Sequence, residues 1–120
     1  MILAETSVWV DHLRAGDARL AELLRAGLIV CHAFVIAEIA LGSLRDRSRV
    51  LGLLDGLPSL TVARPEEVRL LIERRELFGR GIGFVDAALI ASCLLVPGTL
   101  LWTRDRKLDA AAADVGVAFR

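Results

Sequence analysis

The 120-residue sequence lacks the marks of three common protein classes. Its 15 basic and 15 acidic residues balance, so no overall positive charge indicates nucleic-acid binding. The longest apolar run, 87–97, falls well short of the ~20 residues needed to cross a bilayer. No basic stretch precedes the apolar N-terminus as it would in a signal peptide. We therefore expect a cytoplasmic protein with no membrane segment.

Cysteine and histidine are scarce, at two residues each. Cys31 and Cys93 both lie in apolar segments, which favours two buried thiols over a disulfide while leaving the disulfide open. His12 and His32 lie far apart, and neither has a cysteine or histidine at zinc-ligand spacing. A zinc site is therefore not predicted.

Apolar residues are abundant, at 55% of the chain, against about 45–50% in ordinary globular proteins. The length suits one domain, 1–120, and is too short for two. In so small a protein, the excess predicts apolar surface that a partner or a second copy covers, and we expect a homodimer.

Short apolar runs alternate along the chain with segments of helical periodicity. The predicted strands are 1–4, 28–32, 59–62, 99–102 and 117–119, and the predicted helices are 8–14, 18–26, 33–44, 46–55, 65–78, 84–95 and 106–114. No hairpin-type turn joins neighbouring strands. The alternation therefore predicts an α/β fold: a central parallel sheet of four to five short strands, covered by helices on both faces.

Four carboxylates stand in unusual places. Glu5, Glu38 and Asp86 are each the only charge within an apolar segment, and Asp105 follows the fourth predicted strand after a short polar step. Because the carboxyl ends of parallel strands share one edge of the sheet, we expect Glu5 and Asp105 to lie at the same edge. Ligands of such sheets bind at that edge.

Buried carboxylates are costly unless they are paired, hydrogen-bonded or bound to a metal, and these segments contain no basic partner. A divalent cation would relieve their repulsion, and an all-oxygen site favours Mg²⁺ or Mn²⁺. Singly, each acid has a simpler explanation: Glu5 and Asp86 at helix N-termini, Asp105 as a cap with Thr103, Glu38 bonded to a hydroxyl. Jointly, the four favour a metal site.

Four segments, taken in order, carry a family resemblance: MILAETSVWVDHL, AFVIAEIALG, GFVDAALIAS and LLWTRDRKL. As a set they resemble the PIN-domain family, and most closely the VapC-type toxins of bacterial toxin–antitoxin pairs. The match covers essentially the whole chain. It implies a single PIN domain with a three-layer α/β/α fold, a Mg²⁺- or Mn²⁺-dependent endoribonuclease activity, and a VapB-like antitoxin that holds the toxin inactive.

The resemblance also assigns roles to residues. It gives the catalytic and metal-binding acids as Glu5, Glu38, Asp86 and Asp105. Thr103 matches the hydroxyl residue that orients the last acid, and Ser7 lies in the motif that follows the first.

One position departs from the family pattern, which has Asp where this chain has Glu5. The extra methylene moves a carboxylate by about one C–C bond, and a misplacement of about 1 Å can cost on the order of 10²-fold in rate. An alternative function is therefore a catalytically impaired PIN-fold protein that binds an antitoxin or RNA. A Mg²⁺-dependent phosphatase is a second alternative, disfavoured because it would need an aspartyl nucleophile after the first strand.

The mechanistic hypothesis is in-line attack of water on a phosphodiester, activated by one or two metal ions, with 5′-phosphate products. The substrate would be a structured RNA, either tRNA or rRNA, recognised at splayed single-stranded bases. Candidate phosphate contacts near the acids are Arg80, Arg104, Arg106 and Lys107.

Two further segments have predicted roles. Trp9 with Leu13, and Ile39 with Leu44, are candidates for an apolar groove that binds an antitoxin helix. The glycine-rich stretch 79–83 lacks the Lys-Ser/Thr of a phosphate loop and follows no predicted strand, so we expect a flexible rim beside the third acid.

Overall fold

The first strand of the chain is the central strand of the sheet. In the computed structural model, which describes all residues from 1 to 120, β1 (Ile2–Ala4) pairs in parallel with β2 (Ile29–Val30) on one side and β3 (Leu100–Trp102) on the other. The strand order therefore reverses at β1. In α/β sheets this reversal marks the crevice where ligands bind.

Beyond these three strands, the sheet continues only as single bridges. The register aligns Leu3 of β1 with Leu101 of β3. One parallel bridge joins Cys31 to Ser59 and another joins Leu101 to Ala118, at the two places where the sequence predicts outer strands. The predicted parallel sheet and three-layer α/β/α fold are confirmed. The outermost predicted strands are reduced to one bridge each.

Seven helices cover the sheet: α1 (Thr6–Ala15), α2 (Ala18–Arg25), α3 (Ala33–Ala40), α4 (Arg47–Asp55), α5 (Pro65–Arg74), α6 (Phe84–Leu94) and α7 (Arg106–Asp114). Helix α3 contacts α1 and α4, helix α5 packs on α6, and α6 and α7 contact β3. Helix α5 ends before the predicted residue 78 because Glu76 takes a left-handed conformation with φ 52°. None of the helices has the length and apolar character that a membrane span requires.

Helix α6 is the most enclosed helix, since every residue from Ala87 to Cys93 is buried. It has no solvent-facing side that could carry a charge, which explains why its single acid occupies the first turn. Both cysteines are buried and unpaired, as the two-thiol interpretation predicted. Burial raises the pKa of the Cys93 thiol to about 12.

A buried histidine joins β2 to α6. His32 is fully buried at the start of α3; its Nδ1 accepts from the Phe34 N–H (3.0 Å), and its Nε2 lies 3.0 Å from the Ser92 hydroxyl. That hydroxyl donates its only proton to the Ala88 carbonyl (2.8 Å) and accepts from the Ala63 N–H (3.0 Å). Nε2 must therefore be the donor, which fixes the neutral Nε2–H tautomer.

This network predicts a pH effect on stability. Burial lowers the pKa of His32 below its ordinary 6.5. The unfolded chain therefore takes up a proton near pH 6.5 that the folded protein does not, and the free energy of unfolding falls as the pH drops below that value. Imidazole NMR titration checks this, with His12→Gln assigning the two histidine signals. A His32 signal that titrates at 6.5 or above would contradict it.

Candidate functional site

The predicted acids come together where β1 and β3 end. Glu5 directly follows β1 and its backbone N–H donates to the carbonyl of Trp102, the last residue of β3 (2.8 Å). From α3, Glu38 reaches the same corner, where its Oε1 accepts a hydrogen bond from the Thr6 hydroxyl (2.7 Å). Asp105 begins α7 just beyond β3. One sheet edge thus gathers side chains that lie far apart in the sequence.

Glu5 is the most constrained of the acids, with only 9% of the residue exposed. Its Oε1 accepts three hydrogen bonds: from the Ser7 N–H (3.1 Å), the Ser7 hydroxyl (2.6 Å) and the Thr103 hydroxyl (2.7 Å). Glu5 itself is the N-cap of α1, because its carboxylate reaches the Ser7 N–H.

Thr103 and Ser7 connect the two strand ends. The Thr103 hydroxyl accepts from the Asp105 N–H (3.1 Å), and the Ser7 hydroxyl accepts from the Arg104 N–H (2.9 Å). The expectation that Thr103 orients the last acid stays a prediction: Thr103 holds Asp105 through its backbone N–H, and the carboxylate to which it donates is that of Glu5.

The other acids are also tied to the scaffold through one oxygen. Asp105 Oδ1 caps α7 by accepting from the Lys107 and Leu108 N–H groups (2.9 and 3.1 Å). Asp86 Oδ2 accepts from the Gly83 N–H at the start of α6 (3.2 Å). The helix-start explanations are thus correct as geometry, but each accounts for one oxygen only.

The second carboxylate oxygen of all four acids accepts no hydrogen bond from the protein, and none of the four forms an ion pair. Their mutual repulsion registers at Asp86: burial raises the pKa of this carboxyl, and the charges of Glu5, Asp105 and Glu38 raise it further, while the Gly83 N–H opposes them. The four charges therefore act on one another without a compensating base.

This donor set fits a hard divalent cation. Four carboxylates with free oxygens and no nitrogen or sulfur ligand are the chemistry that Mg²⁺ and Mn²⁺ prefer. As the side chains stand, no three acidic, histidine or cysteine residues form a ready-made metal-binding group.

A substitution tests the support of Glu5. Thr103→Val removes the hydroxyl while keeping the side chain's shape, so the donor to Glu5 and the acceptor for the Asp105 N–H are both lost. We expect the free energy of unfolding to fall by about 1–3 kcal/mol, because the Asp105 N–H loses its acceptor and Glu5 Oε1 keeps only its two donors from Ser7. Urea denaturation checks this, with Thr103→Ser as the control that keeps the hydroxyl. Equal stability of the valine and serine variants would contradict it.

The four candidate cations separate into two pairs. Arg104 binds Asp11 and Asp17, and Arg80 binds Asp114 (2.5 Å), so both guanidinium groups already have acidic partners. These acids lie on segments far from their partners in the chain, so no local pattern predicts the ion pairs. The other two candidates are exposed and form no ion pair: Arg106 and Lys107.

A cleft of about 540 Å³ lies between α1, α3 and α4. Three of the four predicted groove residues line it: Leu13, Ile39 and Leu44. Trp9 does not, because this side chain turns into the core and is only 4% exposed. The exposed Val10, one position further along α1, lines the cleft together with Glu38, so the cleft reaches the acidic site.

The chain is similar in sequence and in fold to known proteins. The model of the PIN domain matches residues 2–114. The chain is 54% identical over 118 residues to "Ribonuclease VapC32" of Mycobacterium tuberculosis, strains CDC 1551 / Oshkosh and ATCC 25618 / H37Rv, covering 98% of this chain and 95% of the relative. The crystal structure of PAE2754 from Pyrobaculum aerophilum has a similar fold, with a TM-score of 0.67 at 22% identity, covering 98% of this chain and 87% of that one.

Proposed function

This chain belongs to the PIN-domain family in its VapC-type form, and from that premise we propose that it is a metal-dependent endoribonuclease, the toxin of a toxin–antitoxin pair. The observation that carries the proposal is the group of four carboxylates at one sheet edge, each with a free oxygen and no cationic partner. A ribonuclease relative that is 54% identical along nearly the whole chain supports it.

Glu5, Glu38, Asp86 and Asp105 would hold a Mg²⁺ or Mn²⁺ ion. When bound, such an ion polarises a phosphodiester oxygen and lowers the pKa of a coordinated water. The neighbouring residues of this chain hold the carboxylates in position. Ser7 and Thr103 fix one oxygen of Glu5, and Thr6 fixes one oxygen of Glu38, which leaves the other oxygen of each free for an ion.

The substrate we propose is a structured RNA, tRNA or rRNA, cut at a single-stranded place to give a 5′-phosphate. Arg106 and Lys107 are the cations available for its backbone, because Arg80 and Arg104 are already paired. Both lie in the first turn of α7, directly after Asp105. A phosphate contact there would place the RNA strand across the acids.

We further propose that a VapB-like antitoxin lays an amphipathic helix in the cleft between α1, α3 and α4. Val10, Leu13 and Ile39 give the cleft an apolar wall, and Glu38 links it to the acidic site. An antitoxin seated there would cover one of the four acids and block the RNA. The homodimer expected from the composition stays a prediction.

Glu5 favours a second function. If its longer side chain misplaces the free oxygen, the fold and the cleft persist while the chemistry fails. The protein would then be an impaired PIN-fold module that binds its antitoxin or RNA.

The test is incubation of the purified, antitoxin-free protein with total tRNA and rRNA in Mg²⁺, Mn²⁺ or EDTA. We expect cleavage with 5′-phosphate ends in either metal and none in EDTA. Thermal unfolding gives a readout independent of activity, since a bound ion raises the Tm. Absence of cleavage in every condition, with a metal-dependent rise in Tm, would favour the impaired module. Absence of both would contradict the metal site.

A further inference from the structure

The loop between α5 and α6 forms a small apolar pocket beside the acids. The pocket encloses about 220 Å³ and is lined mainly by Ile72, Leu77, Phe78, Ile82, Phe84 and Ala87. Leu77 is buried and anchors the loop, while Gly79 and Gly81 have φ angles of 70° and 77°, a conformation that side chains rarely tolerate. The backbone of the loop therefore takes a conformation at these two positions that favours glycine.

Two exposed aromatic rings belong to this pocket. Phe78 is 59% exposed and Phe84 is 53% exposed, and no other aromatic residue of the chain is among the exposed large apolar residues. Exposing one phenylalanine is ordinary, but both exposed rings line the same pocket. Rings that remain in water next to a candidate nuclease site have the chemistry that stacks on unpaired bases.

The pocket adjoins the acidic site through Gly83. Gly83, which lines it, donates its N–H to Asp86 Oδ2 (3.2 Å), and Phe84 is the first residue of the helix that carries Asp86. On the other side, the Lys107 ammonium lies 3.0 Å from the point that a Cβ on Gly81 would occupy. An unpaired cation thus borders the loop on the side of Asp105.

We propose that this pocket binds one unpaired base of a single-stranded RNA next to the cleaved phosphodiester. The base stacks on Phe78 and Phe84, and Lys107 contacts a flanking phosphate. The charges favour this occupant over an apolar helix of a protein partner, since a nucleotide places its base on the rings and its phosphate between Lys107 and the metal-binding acids. The inference rests on the proposed function and adds the site at which one base of that RNA binds.

The experiment measures binding of a short single-stranded RNA that carries 2-aminopurine. All proteins carry Asp86→Asn so that the RNA stays intact. We expect Phe78→Ala and Phe84→Ala to weaken binding on the order of 10- to 100-fold each and to abolish the quenching that stacking causes. Phe84→Trp should retain both. Leu53→Ala, which removes an exposed apolar side chain on α4, is the matched control and should change neither.

Two results would overturn the proposal. The first is that the alanine variants bind the RNA as tightly as the parent; if they also change the oligomeric state in sedimentation, the pocket is a protein contact. The second is that Phe84→Leu binds as tightly, which would show that a ring is not needed. If the wild type cleaves no RNA but the base still stacks on the rings, the proposed ribonuclease activity is contradicted and the base-binding site is retained.

Discussion

An Asp86→Asn variant is expected to cleave RNA at least about 100-fold more slowly than the wild type while remaining as stable or more stable. Asp86 is the acid on which the charges of Glu5, Glu38 and Asp105 act together. Asparagine keeps an oxygen for the Gly83 N–H but removes the charge that would help to hold an ion. Activity therefore falls without loss of the helix-start hydrogen bond.

The stability part follows from the raised pKa of Asp86. As the pH rises, Asp86 of the unfolded chain loses its proton near 3.8, whereas the folded protein keeps that proton up to a higher pH. The free energy of unfolding therefore falls between these two pKa values, and at neutral pH the ionised Asp86 destabilises the fold. Asparagine removes that cost. Cleavage rates and urea denaturation at neutral pH check both parts, with the exposed Asp55→Asn as the control. A variant that is inactive because it is unfolded would contradict the prediction.

Glu5→Asp is expected to raise the cleavage rate by up to about 100-fold. Three donors fix Oε1 of Glu5. Because Oε1 is held, the extra methylene of glutamate displaces the free oxygen Oε2 from the position that an aspartate oxygen would take. Mg²⁺ tolerates little departure from octahedral geometry. Aspartate is also a favoured N-cap, so α1 should keep its start.

Initial rates on the same RNA, in Mg²⁺ and in Mn²⁺, measure this effect. Glu5→Gln is the matched control, because it keeps the length and hydrogen-bonding oxygen but removes the charge, and it should be inactive. Equal rates for the wild type and the Glu5→Asp variant would mean that the site accommodates either length. A slower aspartate variant would show a site built around glutamate and would contradict the misplacement argument.

Local patterns in the sequence predicted the fold well because each strand and helix has its own hydrophobic periodicity. Glu5 and Asp105 follow apolar β-branched or leucine-rich runs, and such runs alternating with helical periods predict a parallel sheet. Periodicity did less well at the ends of elements. It extended the fifth helix to Phe78, whereas the left-handed Glu76 ends that helix at Arg74.

The acids were predictable for a related reason. A lone charge is costly when its segment is buried, and this holds for Glu5, which is buried, and for Asp86, which is half-buried. The burial expected of Glu38 and Asp105 was wrong, since both are exposed at the ends of their elements.

The residues that each side chain contacts in the folded protein could not be predicted in the same way. Nothing in the sequence joins Arg104 to Asp11 and Asp17, or turns Trp9 into the core while Val10 lines the cleft. These outcomes depend on the angle at which helices pack, which periodicity does not report.

The sequence by itself determined the class of fold, the edge at which the acids meet and the family, because apolar runs and isolated charges act locally. Only the tertiary structure decided which oxygen of each acid is free and that Thr103 supports Glu5 rather than the Asp105 carboxylate. It alone brought Phe78 and Phe84 into one pocket beside Asp86. The physical reason is that hydrogen bonds and pockets form between segments distant in the chain, where geometry to within an ångström decides the partner.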